Sequence, residues 1–133
     1  MGEKKTKDEL GGWKVHTKNG TVDNGADDEH ACIEEIKRFL SYMPDNVNQL
    51  APVVACDDPT DRCEESLLEV VPRDRRVAFE MRQVIHAVFD HGSFFEMGKG
   101  YGRSQITGLA RLNGQTVGAV SYTHLRAHET SEN

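Results

Sequence analysis

Two stretches of the chain carry apolar residues at helical spacing, and a third places them on either side of a turn dipeptide. Ile33, Ile36, Phe39, Leu40 and Met43 recur at three- and four-residue steps, which puts them on one helical face. Asp27 or Asp28 supplies an N-cap, Glu29 suits the positive helix start, Lys37 and Arg38 fall in the last turns, and Pro44 stops the run. The pattern predicts a helix over 28–43. Val77, Met81, Val84, Ile85, Val88 and Phe89 make a second, wider stripe and predict a helix over about 75–89, with Gly92 as its left-handed stop. Ile106 to Leu112 and Gln115 to Val120 then flank Asn113-Gly114. Both residues of a tight hairpin turn need positive φ, so this dipeptide between apolar runs predicts a hairpin.

The remaining stretches are weaker. Asp8 to Gly25 is polar with four glycines and reads as loop, with room for a short strand near Trp13 to Thr17. Asp58-Pro59-Thr60-Asp61 offers turn and cap chemistry for a helical turn at Cys63 to Val70. Phe94 and Phe95 stand together, so at least one of them is expected to be buried. All four prolines lie between Pro44 and Pro72, no glycine occurs from Ala26 to His91, and seven fall from Gly92 to Gly118. This punctuation predicts two short structured pieces joined by a connector, with few contacts between the halves.

Composition narrows the class. The chain has 133 residues, a formal net charge of −6, 37% hydrophobic and 29% charged residues, all ordinary for a globular chain. No apolar run approaches the ~20 residues of a membrane span. The start, Met1-Gly2-Glu3-Lys4-Lys5, lacks the apolar core of a signal peptide. The acidic balance argues against nucleic acid, whose phosphates need clustered Lys and Arg. Cys32, Cys56 and Cys63 form no C-x-x-C pair, which argues against structural zinc and a disulfide framework. Cys32 is expected as a small buried hydrophobe, and the other two as bystanders beside an acidic loop.

Ser121-Tyr122-Thr123-His124-Leu125-Arg126-Ala127-His128-Glu129-Thr130 matches the in-frame translation of a common transposase sequencing adapter. Residues 121–133 are therefore expected to be an adapter-derived artefact, whose deletion from Val120 onward would leave the fold unchanged. His124 and His128 would suit a metal on a helix, and they lose that meaning with the tail.

Candidate chemistry elsewhere is sparse. Gly98-Lys99-Gly100-Tyr101-Gly102-Arg103-Ser104 resembles a phosphate cradle but lacks the Walker spacing and reads first as a flexible connector. His86 and His91 stand five apart and share no face. Arg73-Asp74-Arg75-Arg76 reads as a solvated helix entry, and Glu34 and Glu35 pair on the helix surface with Lys37 and Arg38. Glu96, beside two phenylalanines, is a carboxylate open to perturbation. No nucleophile–base pair stands out, so no catalytic residue is assigned.

The motifs together resemble one family. Glu9-Leu10-Gly11-Gly12 with His16-Thr17, Leu40-Ser41-Tyr42-Met43-Pro44, Asp58-Pro59-Thr60-Asp61-Arg62, Val70-Val71-Pro72, Met81-Arg82, Phe94-Phe95-Glu96, and Gly108-Leu109-Ala110-Arg111-Leu112-Asn113-Gly114 with Val117-Gly118 follow one order and spacing. They resemble the carboxyltransferase (β) subunit of biotin-dependent acyl-CoA carboxylases, of the propionyl-CoA carboxylase and methylmalonyl-CoA carboxyltransferase type. Two positions depart: Trp13 stands where the family has Ala, and Asn19-Gly20 where Ser-Gly is common.

The resemblance implies an α/β, crotonase-like carboxyltransferase fold, present here as an incomplete fragment. Residues 1–43 would be the end of its N-terminal domain, 44–72 the inter-domain linker and 73–120 the start of its C-terminal domain. The implied reaction moves a carboxyl group from carboxybiotin on a carrier domain to an acyl-CoA such as propionyl-CoA, with no metal in this segment. Gly11, Gly12 and His16 are the implied site-lining residues. The implied partners are a biotin carboxylase or biotin carboxyl carrier subunit, further copies of the full-length subunit as a hexamer, and acyl-CoA, with neither nucleic acid nor membrane. The setting would be bacterial cytoplasm, or the mitochondrial matrix in a eukaryote. Two alternatives stay open: the α subunit of a related biotin-dependent decarboxylase, and a non-catalytic adaptor that binds through helix 28–43.

Overall fold

The computed structural model describes residues 4–74, 79–102 and 104–122. Thr6 opens helix α1 (Lys7–Gly11) with a capping box. Its hydroxyl accepts from the Glu9 N–H at 3.3 Å, and the Glu9 carboxylate accepts from the Thr6 N–H at 2.8 Å. Gly12 is extended and leads directly into α2 (Trp13–Asn19), which Gly20 closes in the left-handed region. This corrects the expectation of a loop with a strand near Trp13 to Thr17. Helices of five and seven residues are too short to show an apolar period, so only their end signals could have announced them.

Helix α3 (Glu29–Leu40) forms as its pattern predicts. The Asp28 carboxylate accepts from the Ala31 N–H at 2.7 Å, and Lys37 and Arg38 occupy the last turn. Its stripe is not a core face, however: Ile33, Ile36 and Leu40 remain 45%, 52% and 58% exposed. Cys32 is likewise exposed, against expectation, because nothing described covers that side of the helix. A short α4 (Leu67–Val70) stands within the predicted helical turn. Helix α5 (Met81–Val88) begins later than 75, because Glu80 is extended and its carboxylate caps the Arg82 N–H at 3.2 Å. Val77 and the basic pair Arg75-Arg76 lie outside the described residues.

Three antiparallel strands follow in the order β1 (Phe95–Met97), β2 (Gln105–Leu112), β3 (Gln115–Tyr122). The Asn113-Gly114 turn forms as predicted, with φ of 49° and 75°. A Cβ on Gly114 would also stand 1.8 Å from the Val54 carbonyl oxygen, so the position is closed to any side chain. Strand β1 was not expected; three residues are too few for an alternation to register. Ser121 and Tyr122 pair with Ile106 and Gln105 and so complete β3, whereas 123–133 lie outside the described residues. Deletion from Val120 onward would therefore remove three paired residues of β3.

Strand alternation divides the sheet's two faces. Ile106, Ala110 and Ala119 face α5 and form the core with Ile85 and Phe94, flanked by Met81, Phe89 and Val117. On the opposite face the Phe95 ring meets Phe39 and Tyr42, each at a centroid distance of 6.2 Å. Phe94 and Phe95 are thus both buried, one to each side.

The expectation of few contacts between the halves is corrected here. Arg38 of α3 donates to the carbonyls of Gly92 and Phe94, at 3.2 and 2.8 Å. The buried Tyr42 hydroxyl donates to the Ser93 carbonyl, and the Arg111 guanidinium lies 4.1 Å from the Tyr42 ring centre while donating to the Ser41 carbonyl. The connector also holds on. The Val54 N–H donates to the Gly114 carbonyl, the Asp58 carboxylate accepts from the His91 N–H, and Arg62 donates to the Phe89 carbonyl at the end of α5. Among the described residues, no helix is long and apolar enough to cross a membrane.

Candidate functional site

A concavity of about 930 Å³ lies where α2, α3, α5 and β1 converge. That is at the upper end of the range for small-molecule sites. Helix α2 contributes Trp13 and Thr17, α3 contributes Glu35 and Arg38, and α5 contributes Arg82 and His86. Phe94, Phe95 and Glu96 form the floor.

Trp13 walls this cavity while its ring lies flat against Gly25, where a Cβ would stand 2.1 Å from the indole. Asn24 fastens the same segment to β1: its side-chain amide donates to the Glu96 carbonyl at 3.0 Å and accepts from the Gly98 N–H at 3.3 Å.

Glu96 takes a two-pronged ion pair from Arg82, Nε to Oε2 at 2.9 Å and Nη2 to Oε1 at 2.5 Å. Glu80 holds the third nitrogen of Arg82 at 3.2 Å. The hydrogen bond to Glu96 raises the Arg82 pKa further above its already high value, and burial opposes that shift only in part. Arg82 is therefore a permanent cation, paired with the Glu96 carboxylate. His86 packs edge-on against Phe94, with ring centres 5.9 Å apart.

The implied site residues sit beside this cavity, not in its wall. Gly11 ends α1, Gly12 joins α1 to α2, and His16 is one turn along α2. The structure does bring them together, since a Cβ on Gly11 would lie 3.5 Å from His16 Nε2. His16 Nδ1 is buried and has no hydrogen-bond partner among the described residues. The glycine-rich run after β1 behaves as a connector. The Gly98 N–H goes to Asn24, the Tyr101 N–H to Gly98 and the Gln105 N–H to Gly102, which leaves no cradle for phosphate in those three groups. Lys99 reaches the cavity, and Arg103 lies outside the described residues.

A second convergence was not foreseen. Ligand-type atoms of Cys56, Asp58 and Asp90 lie within 4.8 Å of one another. Both oxygens of Asp90 are already engaged, accepting from the Asn113 and Gly114 N–H groups at 2.9 and 2.7 Å. Burial pushes the Asp90 carboxyl up, but those two donors, with the Cys56 thiol and the Arg62 charge, outweigh it and hold it below the ordinary value. Asp58 accepts from the His91 N–H at 2.8 Å, and Arg62 lies 3.6 Å away. The cluster therefore already has its donors and its countercharge. Sequence reading missed Asn24, Glu35, Arg38 and Arg82 as cavity residues. Only the spacing of Arg82 and His86, one turn apart on the same helix, could have suggested a shared wall.

Residues 1–126 match the model of the carboxyl transferase domain. The chain is 37% identical over 116 residues to the mitochondrial propionyl-CoA carboxylase beta chain of Homo sapiens, covering 86% of this chain and 22% of that protein. It is 34% identical over 121 residues to methylmalonyl-CoA decarboxylase subunit alpha of Veillonella parvula, covering 90% and 24%. Among solved structures, the transcarboxylase 12S hexamer crystallised with methylmalonyl-coenzyme A and methylmalonic acid superposes with a TM-score of 0.83 at 32% identity. That match covers 91% of this chain and 24% of the other. The chain thus spans between a fifth and a quarter of the length of these relatives. With the motif order, the folded elements and the family model in agreement over nearly the whole length, the chain belongs to the carboxyl transferase domain family.

Proposed function

We propose that this chain is a segment of a carboxyltransferase subunit that moves a carboxyl group from carboxybiotin on a carrier domain to an acyl-CoA such as propionyl-CoA. The observation that carries this reading is the likeness to transcarboxylase 12S, a structure that holds methylmalonyl-coenzyme A, over 91% of this chain. The finer fold is crotonase-like. Residues 1–43 belong to the end of one domain, 44–72 to the linker and 73–120 to the start of the next, with 121–133 contributed by the adapter. The partners are further copies of the subunit and the carrier of biotin.

The chemistry develops negative charge on the acyl thioester oxygen once the α-carbon becomes nucleophilic. Such charge is stabilised by donors already aimed at the oxygen before the reaction begins. Biotin, when bound, supplies the carboxyl group. In the cavity, Arg82 is paired with Glu96 and Glu80, and Arg38 donates through Nη2 to the carbonyls of Gly92 and Phe94. What this segment does is position and shield. Gly11, Gly12 and His16 form a corner with one buried nitrogen still lacking a partner, the kind of group that a substrate or a neighbouring strand satisfies. Trp13, Phe94 and Phe95 give the adjoining cavity its apolar wall.

The test is transfer of label from carboxybiotin to propionyl-CoA by the 133-residue chain and by the full-length subunit that carries it. The full-length subunit should turn over. The 133-residue chain, which spans between a fifth and a quarter of the length of its relatives, should stay at the blank. His16→Ala in the full-length subunit should lower kcat/KM by about 10²-fold, as misplacement of a positioned substrate does. Inactivity of the full-length subunit would refute the assignment. Likeness to the Veillonella parvula decarboxylase subunit supports one other reading, release of carbon dioxide from a carboxylated acyl-CoA. Label from methylmalonyl-CoA released as carbon dioxide in place of transfer to propionyl-CoA would select it.

A further inference from the structure

Asparagine precedes glycine at Asn19-Gly20, Asn24-Gly25 and Asn113-Gly114. Glycine has no side chain to keep its nitrogen from the preceding side-chain amide carbon, so such a pair can close into a cyclic imide. The fold treats the three pairs differently. Gly114 is buried, and its N–H is bound to the Asp90 carboxylate at 2.7 Å, a charge-assisted bond that occupies the nitrogen. The Asn24 amide is drawn away from Gly25. Its Nδ2 donates to the Glu96 carbonyl at 3.0 Å and to Glu35 at 3.4 Å, and its Oδ1 accepts from the Gly98 N–H at 3.3 Å. Asn19 and Gly20 are both exposed. The Thr21 N–H donates to Asn19 Oδ1 at 3.0 Å, and the ring that this bond closes contains both the Asn19 Cγ and the Gly20 nitrogen. The Gly20 N–H shares its acceptor: the His16 carbonyl also takes the Thr21 and Val22 N–H groups, at 3.0 and 3.3 Å. These donors outnumber the lone pairs of one carbonyl, so the Gly20 nitrogen is the least firmly held of those compared.

We propose that Asn19 is a self-modification site, converting to aspartate and isoaspartate while the fold holds back Asn24 and Asn113. The Gly20 nitrogen forms a bond to the Asn19 Cγ, the Cγ–Nδ2 bond breaks, and the nitrogen's proton leaves with Nδ2 as ammonia. Water then opens the imide, at the side-chain carbonyl to give aspartate or at the backbone carbonyl to give isoaspartate. Negative charge develops on Oδ1 as the nitrogen adds, and the Thr21 N–H is aimed at that oxygen before the reaction begins. The product places a carboxylate at the C-terminal end of α2, where the helix dipole disfavours it. Isoaspartate also adds a methylene to the backbone beside Gly20, against which the Tyr101 ring packs. The change therefore falls on the turn that the His16 carbonyl closes.

The full chain is incubated at mildly alkaline pH, folded and in urea. Each asparagine is followed by peptide mapping, with mass spectrometry for the amide-to-acid change and isoaspartyl methyltransferase labelling for isoaspartate. In the folded chain Asn19 should convert about tenfold faster than Asn24 or Asn113, and in urea the three rates should converge. Thr21→Pro removes the N–H on Oδ1 and should slow Asn19 by about tenfold, less than an enclosed oxyanion donor gives because this one meets water. Asn24 and Asn113 in the same sample report whether that variant is folded, by keeping their folded-state rates. Asp90→Ala frees the Gly114 N–H and should speed Asn113 severalfold while leaving Asn19 unchanged. Conversion of Asn24 or Asn113 as fast as Asn19 in the folded chain, or an equal lead for Asn19 in urea, would overturn the proposal. So would an unchanged Asn19 rate in folded Thr21→Pro.

Discussion

At the scale of single residues, Asp90 holds the hairpin turn. Its two carboxylate oxygens accept the N–H groups of both hairpin-turn residues, which otherwise point away from the strand ladder. Replacing it with alanine should cost about 2 kcal/mol, the range for hydrogen bonds to a charged group. The pH dependence follows from its lowered pKa. A carboxyl that ionises more readily folded than unfolded contributes stability that is fully present above its ordinary value of 3.8 and is lost as pH falls through the folded value. Thermal melts from pH 6 down to pH 2 should therefore show a steeper acid loss in the parent chain than in Asp90→Ala. Equal slopes would mean that other carboxylates carry the acid sensitivity. Glu96 differs in kind: it is committed to Arg82, and the pair's function is to brace β1 against α5.

At the scale of elements, Asp28 starts α3 with a single side-chain bond to the Ala31 N–H. Asp28→Ala should lower the urea midpoint by the equivalent of about 1 kcal/mol, whereas Asp28→Asn should be nearly neutral because asparagine caps as well. A loss shared by both would point to charge rather than capping. These elements also show what could be read from the sequence. Helix α3, the Asn113-Gly114 hairpin and most of α5 were legible, because apolar period and turn chemistry are local properties. Helices α1 and α2 were not, since glycine-rich polar composition outweighed a Thr6–Glu9 capping box. Strand β1 was invisible because three residues of sheet are specified by their partner Leu109 and its neighbours, not by themselves. The cavity was illegible for the same reason. Asn24, Glu35 and Arg82 become neighbours only after α3 and α5 settle on opposite faces of the sheet.

For the whole molecule, the apolar surface left open is large. Ile36 and Leu40 on α3, with Val120 on β3, are each more than half exposed, and β3 is an unpaired edge among the described strands. Exposed apolar patches and open edges recruit other chains. Light scattering across a micromolar dilution series should show association that weakens in Ile36→Glu. A concentration-independent monomer with one sharp melt would contradict this. Removal of 123–133, the described strand β3 being kept whole, should leave the far-ultraviolet spectrum and the melting temperature unchanged.

The grip of the connector on the turn has one more consequence. The hairpin closes between near neighbours in sequence, a microsecond event for such elements. The bond from the Val54 N–H to the Gly114 carbonyl spans a far longer loop and forms at a higher entropic cost. Native-state hydrogen exchange should therefore separate two opening units, with the Val54 amide released in a low-energy fluctuation and the β2–β3 amides protected until the sheet itself comes apart. The connector would then act as a latch, which a protease could find open while the hairpin beneath it stays shut.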